Sequence, residues 1–397
     1  MNPSGSMTNF PQGFANGLSV RGMPLQQMQP GQVYFVGNSS ILNPGQHAGS
    51  DSSRGTFLDP LATLNYAVNT ACTPGRGDIV FILPNHAETI SNATTLLLKG
   101  SGVAVIGLGA GSSRPTFTFD TATAANVLVS GANISIQNCL FRANFLSIAS
   151  TFTGTSSTFT GVITADGQMT TSAATGTIYV GATVAGTSVA QNTVILSQLS
   201  GTTGAAGVYQ TNATAAVASA TMTTSPTDFA IDSCEFRDLS SVLSFLTIFT
   251  ASATANACDG FQFTRNVVNG LGTVSPTVAL LSTVSEDRWA VNDNFATSPV
   301  TAATEGPILL ATGGGNLTNF QLLRNNTYRP NTSTSLPCAV STSGTGWSGV
   351  GAYNSFGSLA ASTGIWINTG SKLSLTQNFS RLTNTADKSN TLNPVAV

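Results

Sequence analysis

Short runs in which apolar and polar residues alternate recur along the chain, divided by turns rich in Gly, Asn, Asp and Ser. Alternation with a period of two marks a half-buried strand. Two runs are near copies of each other: ISIQNCLFR, residues 134–142, and FAIDSCEFR, residues 229–237. Their frame is apolar, polar, apolar, two polar or small residues, then often Asn and a further apolar side chain. It returns in VAVIGLG from Val103, FQFTRNVV from Phe261, WAVNDNFA from Trp289, FQLLRNNT from Phe320 and LSLTQNFS from Leu373. Anchored on the second apolar position, Ile231, Phe263, Val291 and Leu322 follow one another at 32, 28 and 31 residues. A recurrence of this size without long helical segments predicts a β-solenoid, in which stacked coils bury one apolar column.

The two copies themselves lie 95 residues apart, measured from Ile136 to Ile231, too far for one coil. Between them residues 157–225 have a different grammar of short β runs and Gly-rich turns, ending near GTTGAAGVYQT. Without that segment the spacing becomes an ordinary coil, so it is predicted to be an inserted small β module. Asn138, Asn266, Asn294, Asn325 and Asn378 occupy the same place in their frames. Asn tolerates left-handed backbone at a sharp corner, and its amide can bond to the Asn above and below. The expectation is a structural ladder at the coil corners, with a ligand-binding row as the alternative. Cys139 and Cys234 are expected to be small buried hydrophobes.

Upstream of the coils, residues 1–31 are rich in Gly, Pro, Asn, Gln and Met and show no periodicity. They read as an extended arm that orders against another surface, with Phe10, Phe14, Leu18 and Met23 as anchors, or else as a loose terminus. VYFVGNSS then predicts a strand. LATLNYAVNTA places Leu61, Leu64, Tyr66, Ala67 and Val68 close to helical spacing behind Pro60, a favourable first helical residue. GRGDIVFILP predicts a buried strand. The organisation expected is an arm over 1–31, a cap region and first coil over 32–100, coils over 101–156 and 226–385, the insert over 157–225 and a tail over 386–397.

The order of a Gly-Thr loop, a Pro-led amphipathic helix, then Gly-Asp and a strand ending in Pro resembles the N-terminal cap of right-handed parallel β-helix proteins of the pectate-lyase-like superfamily. The resemblance implies a right-handed winding and a helix closing the open end, where core side chains and strand edges would otherwise be exposed. The insert, through Gly201, Gly204, Gly207 and Tyr209, loosely resembles a small module of tailed-bacteriophage virion proteins. The N-terminal FPQGFANGLSVRGMP and GSDSSRGTF stretches are similar to the start of phage β-helix proteins from capsid or tail gene clusters. These resemblances imply a structural virion protein: a trimeric capsid decoration, spike or head fibre, assembled in the host cytoplasm and held to major capsid or other virion proteins by its arm. The alternative they leave open is a tailspike or tail fibre that binds, and in one version cleaves, host surface polysaccharide.

Composition narrows the chemistry. Only 8% of the 397 residues are charged, while 41% are hydrophobic, which speaks against disorder. A net charge of −2 leaves no basic footprint for nucleic acid, and no apolar run approaches a membrane span. The N-terminus shows no secretory pattern, and five cysteines without a CxxC pair argue for reduced thiols and against a zinc site. No metal or cofactor is expected. His47 and His86 sit in no triad pattern. Glycoside hydrolysis needs two carboxylates. Acids gather at Asp232, Glu235, Asp238, Asp259, Glu286, Asp287 and Asp293, of which Asp232 and Glu235 are the candidate catalytic pair. The alternative is that these acids only solvate turns. A lyase would also need a basic residue to take the proton, and no lysine lies between Gly100 and Ser371. Arg142 and Arg237 align with each other, as do Arg265 and Arg324, which suggests stacking or ion pairing at coil edges. Trp347 and Trp366 are candidates for sugar contact, whereas Trp289 sits at a core-facing position.

Overall fold

A computed structural model describes residues 18–20, 23–25, 31–37, 45–92, 95–240, 242–270, 278–297, 307–329, 338–341, 346–358, 366–367, 372–376 and 378–382, some terminal and late strands by backbone alone. Phe10, Phe14 and the segment 386–397 lie outside the described residues. Leu18 and Met23 fall in a two-stranded antiparallel ribbon, Leu18–Val20 with Met23–Leu25, described by backbone only.

The alternating runs become short strands that stack in parallel into three sheets of ten, nine and eight strands. Each full coil contributes one strand to each sheet, as in Ala230–Asp232, Glu235–Asp238 and Thr247–Thr250. The fold is therefore all-β and of the parallel β-helix type. Register follows the repeat: Ile136, Ile231, Phe263, Val291 and Leu322 are successive partners in the first sheet. In the second sheet Phe117, Phe141 and Phe236 align, their rings stacked at 5.5 and 5.2 Å. Phe249 and Phe261 stack at 4.0 Å, with Trp289 packed on Phe261 at 5.0 Å. These inward side chains form one continuous core, the column that no single coil could bury alone.

At the N-terminal end the first sheet starts with Val33–Val36, which pairs with Ile79–Ile82. The helical stretch is shorter and later than Pro60 suggested. Thr63 is the N-cap, its hydroxyl accepting from Tyr66 N, ahead of Leu64–Tyr66 and a wider turn over Ala67–Ala71. Leu61 instead bridges to Val36 in parallel fashion. Asp51 accounts for the delay, since its carboxylate accepts from the backbone of Ala62 and Thr63 and from the Thr63 hydroxyl. Leu64, Ala67 and Val68 are buried against the end of the core.

Between the third and fourth full coils, six antiparallel strands from Ser157–Ile163 to Val217–Thr224 close into a barrel. Phe159, Ile163, Met169, Ile195, Tyr209 and Met222 fill it as a core separate from that of the solenoid. Polar contacts hold it to the coils. Ser156 Oγ lies 2.7 Å from Ser252 Oγ, and Ser101 N donates to Gly181 O at 3.0 Å. Gly181 has φ +97, and a Cβ there would lie 2.6 Å from Lys99 O, so the approach requires glycine.

Candidate functional site

The corner between the first and second sheets collects several of the few charges of this chain. Asp232 closes the strand Ala230–Asp232 and Glu235 opens Glu235–Asp238, with Cys234 turned inward between them. Asp232 Oδ1 accepts from Thr264 Oγ1 at 2.6 Å and Arg265 Nε at 2.9 Å, and Oδ2 pairs with the other arm of the same guanidinium. Glu235 Oε1 accepts from Arg237 Nε at 3.0 Å and Asn269 Nδ2 at 3.2 Å, while Arg114 Nη1 stands 3.5 Å from Oε2. Farther along, Arg324 forks onto Asp293 at 2.6 and 2.7 Å and holds that carboxyl below its usual range. Arg265 and Arg324 each sit at a left-handed corner residue, φ 56 and 55, and reach back to an aspartate of the preceding coil.

Chemically this is a pairing arrangement. A glycosidase needs one carboxyl that gives a proton to the leaving oxygen and one that activates water or attacks. Asp232 and Glu235 are both taken up as acceptors by guanidinium, amide and hydroxyl donors. Bidentate guanidinium contacts of this kind position and bind rather than transfer protons, because the guanidinium stays protonated.

The asparagine row requires a correction. Asn266, Asn294, Asn325 and Asn378 stand in one buried ladder together with Asn354, which the repeat frame had not singled out. The Oδ1 of each accepts the backbone N–H of the residue one coil earlier: Cys234 to Asn266, Asn266 to Asn294, Asn294 to Asn325, Asn325 to Asn354 and Asn354 to Asn378, at 2.9 to 3.1 Å. Each Nδ2 donates to a carbonyl of the previous coil, such as Phe263 O for Asn294. Asn138 is not in the ladder. It lies one position earlier, at the left-handed corner with φ 54, and donates to Gly107 O and Gly109 O. Ser233, Arg265, Asp293, Arg324 and Tyr353 share that backbone conformation. The ladder position in the two earlier coils belongs to Cys139 and Cys234, where Cys139 N meets Cys234 Sγ at 3.5 Å. Contact with Cys234, then burial, pushes the Cys139 thiol well above its ordinary range. In every ladder amide both the oxygen and the nitrogen are engaged by the neighbouring coils, which leaves no row of free amides for a ligand.

Trp347 is fully buried, its indole donating to Gly315 O at 3.2 Å, so it offers no sugar platform. The Trp366 side chain lies outside the described residues. Among the described residues the exposed rings are Phe57 near the N-terminal end and Phe295, Tyr328 and Tyr353 on later coils. His86 is buried 3.0 Å from Glu88 Oε2, which also accepts from Leu64 N, an arrangement that secures the helical turn.

A second acidic group had not been distinguished from its neighbours in the sequence. Glu286 is 1% exposed. Its Oε2 accepts from Cys258 N at 2.9 Å and its Oε1 has no partner. Burial, reinforced by the nearby Asp259 charge, pushes its carboxyl up to about 8. Burial raises Asp259 and Cys258 as well. Burial also works against Asp287, yet hydrogen bonds from Thr318, Asn319 and Arg288 hold that carboxyl low. Trp289, whose indole donates to Cys258 O at 2.9 Å, belongs to the same buried layer, so Glu286 has no route to a substrate. The signal in the sequence was register: Glu286 pairs with Leu317, so it takes an inward, apolar position.

Among the described residues no group of three His, Cys, Asp or Glu could hold a metal ion, and no helix is long and apolar enough to cross a membrane. No family model and no curated protein matches the chain. One solved structure similar to it is a rhamnogalacturonan lyase, at 12% identity over 91% of this chain and 89% of that one, with a TM-score of 0.28. At that score the likeness carries no argument about chemistry, and the fold rests on the sheets described above.

Proposed function

We propose that this chain is an architectural protein of a tailed-phage virion, a trimeric decoration, spike or head fibre attached through residues 1–31. The observation that carries the non-catalytic part of this reading is the engagement of Asp232 and Glu235 by Arg265, Arg237, Asn269 and Arg114. In this reading the turn over residues 64–71 caps the end of a right-handed solenoid, and the barrel is a guest module carried on its side. The outward faces of the first and third sheets support packing between copies. They present small or uncharged residues such as Ala230, Gln262, Ala290, Thr153 and Thr250, which cost little to desolvate.

A second reading, a tail fibre that binds host glycan without cleaving it, is favoured by the exposure of Phe295, Tyr328 and Tyr353 at 37, 37 and 56%. Incubation with host polysaccharide separates binding from chemistry. The proposal expects no cleavage by the native protein, and cleavage abolished by Glu235→Gln with the oligomer intact would overturn it. Deleting residues 1–31 is expected to abolish incorporation into particles, and incorporation that survives the deletion would remove the arm from the account.

A further inference from the structure

On the outer face of the second sheet two guanidiniums, those of Arg114 and Arg237, meet the Glu235 carboxylate, and a third arginine, Arg142, stands beside Arg237. Arg142 and Arg237 are register partners on adjacent strands, about 5 Å apart in the hydrogen-bonding direction. Phe141 and Phe236 between their neighbours point into the core, so by strand alternation both arginines face outward. Arg114 reaches the same face from the residues ahead of Thr116–Phe119, with Nη1 at 3.5 Å from Glu235. Glu235 spends one oxygen on Arg237 and Asn269 and leaves the other to Arg114 at that long distance. Arg142 makes no side-chain hydrogen bond or ion pair with any described residue. Arg114 Nε is shut away from solvent with no acceptor. The neighbouring acids are committed elsewhere. Asp232 is held by Arg265, and Asp238 is buried and accepts from Phe245 N.

Like charges side by side on a sheet are unfavourable. In a chain with only 14 Lys and Arg, a cluster of three guanidiniums against one carboxylate is a local excess of two positive charges. The guanidinium fork matches the planar carboxylate and the phosphate group, offering two parallel donors to each. We propose that Arg142, with Arg114 and Arg237 beside it, forms an oxyanion-binding site that takes a carboxylate or phosphate group of a ligand. Glu235 orients Arg237 and limits the affinity, since it competes for the same donors. The site does not depend on the architectural reading, which stands or falls on particle localisation and cleavage assays.

Calorimetric titration of the full chain at low ionic strength, with sodium phosphate in one arm and sodium glucuronate in the other, tests this. Saturable binding of either probe is expected, and which one binds assigns the group recognised. Arg142→Gln is expected to weaken it about tenfold, the loss of a charge-assisted hydrogen bond, with the thermal midpoint nearly unchanged because the Arg142 side chain makes no hydrogen bond or ion pair with a described residue. Glu235→Gln is expected to tighten it. No heat with either probe, or equal affinity in Arg142→Gln, overturns the proposal. Should Arg142→Gln fail to fold, unchanged or weaker binding in Glu235→Gln overturns it equally.

Discussion

Glu286 takes an inward position that Leu317 fills in the next coil, and its carboxyl is neutral at the pH where most carboxylates are charged. The folded-state value of about 8 lies above the ordinary 4.5, so the folded chain binds the extra proton between those limits. Its contribution to stability is full below pH 4.5, falls through that window and is lost as pH passes 8. Glu286→Gln, which mimics the neutral form, is expected to flatten this slope and raise stability at pH 8 by on the order of 1–3 kcal/mol. Chemical denaturation at several pH values measures it, and an unchanged slope would contradict the assignment. Asn294→Ala is expected to cost about 3 kcal/mol, because it strips partners from Asn266 N and Phe263 O in a buried layer. At this scale the sequence was legible where one residue sufficed. Asn266 and Asn325 announced a ladder, but Asn354 hid in GAYNSF, where Gly and Ala replace the flanking apolar residues. The partners of Asp232 were hidden too, since Arg265 lies 33 residues away and meets it only through register.

Among elements, the strand repeat was the clearest part of the chain because every coil must bury the same face. Ile231, Phe263, Val291 and Leu322 align in space as they do in frame. The helical stretch near residue 64 was less legible, since Asp51 and Thr63, not Pro60, decide where it begins. The aromatic column gives a test of the packing. Phe141 touches Phe117, Phe152 and Phe236 at centroid distances of 5.5, 5.0 and 5.2 Å. Phe141→Ala is expected to cost about 3–5 kcal/mol, read from the denaturant midpoint. A cost below about 1 kcal/mol would mean that the column does not hold these coils together.

On the scale of the whole molecule, ten stacked strands of the first sheet span about 40 Å at the usual interstrand spacing. The barrel leaves the stack after the strand Phe152–Gly154 and returns before Ala230–Asp232 without disturbing register, because Ile136 still pairs with Ile231. Replacing residues 157–224 with a short Gly-Ser linker is therefore expected to give a chain that folds and unfolds in one cooperative transition. Aggregation of that variant would show that the coils need the barrel. The central claim, the proposal that this rod builds a particle instead of cutting a polymer, meets its most direct test in electron cryomicroscopy of particles purified from the phage that the proposal expects to carry it. The account predicts density for the three-sheet rod and its side barrel projecting from the particle in threefold groups, joined at the end that carries residues 1–31. Particles that lack this density, with the protein found free of them, would contradict it.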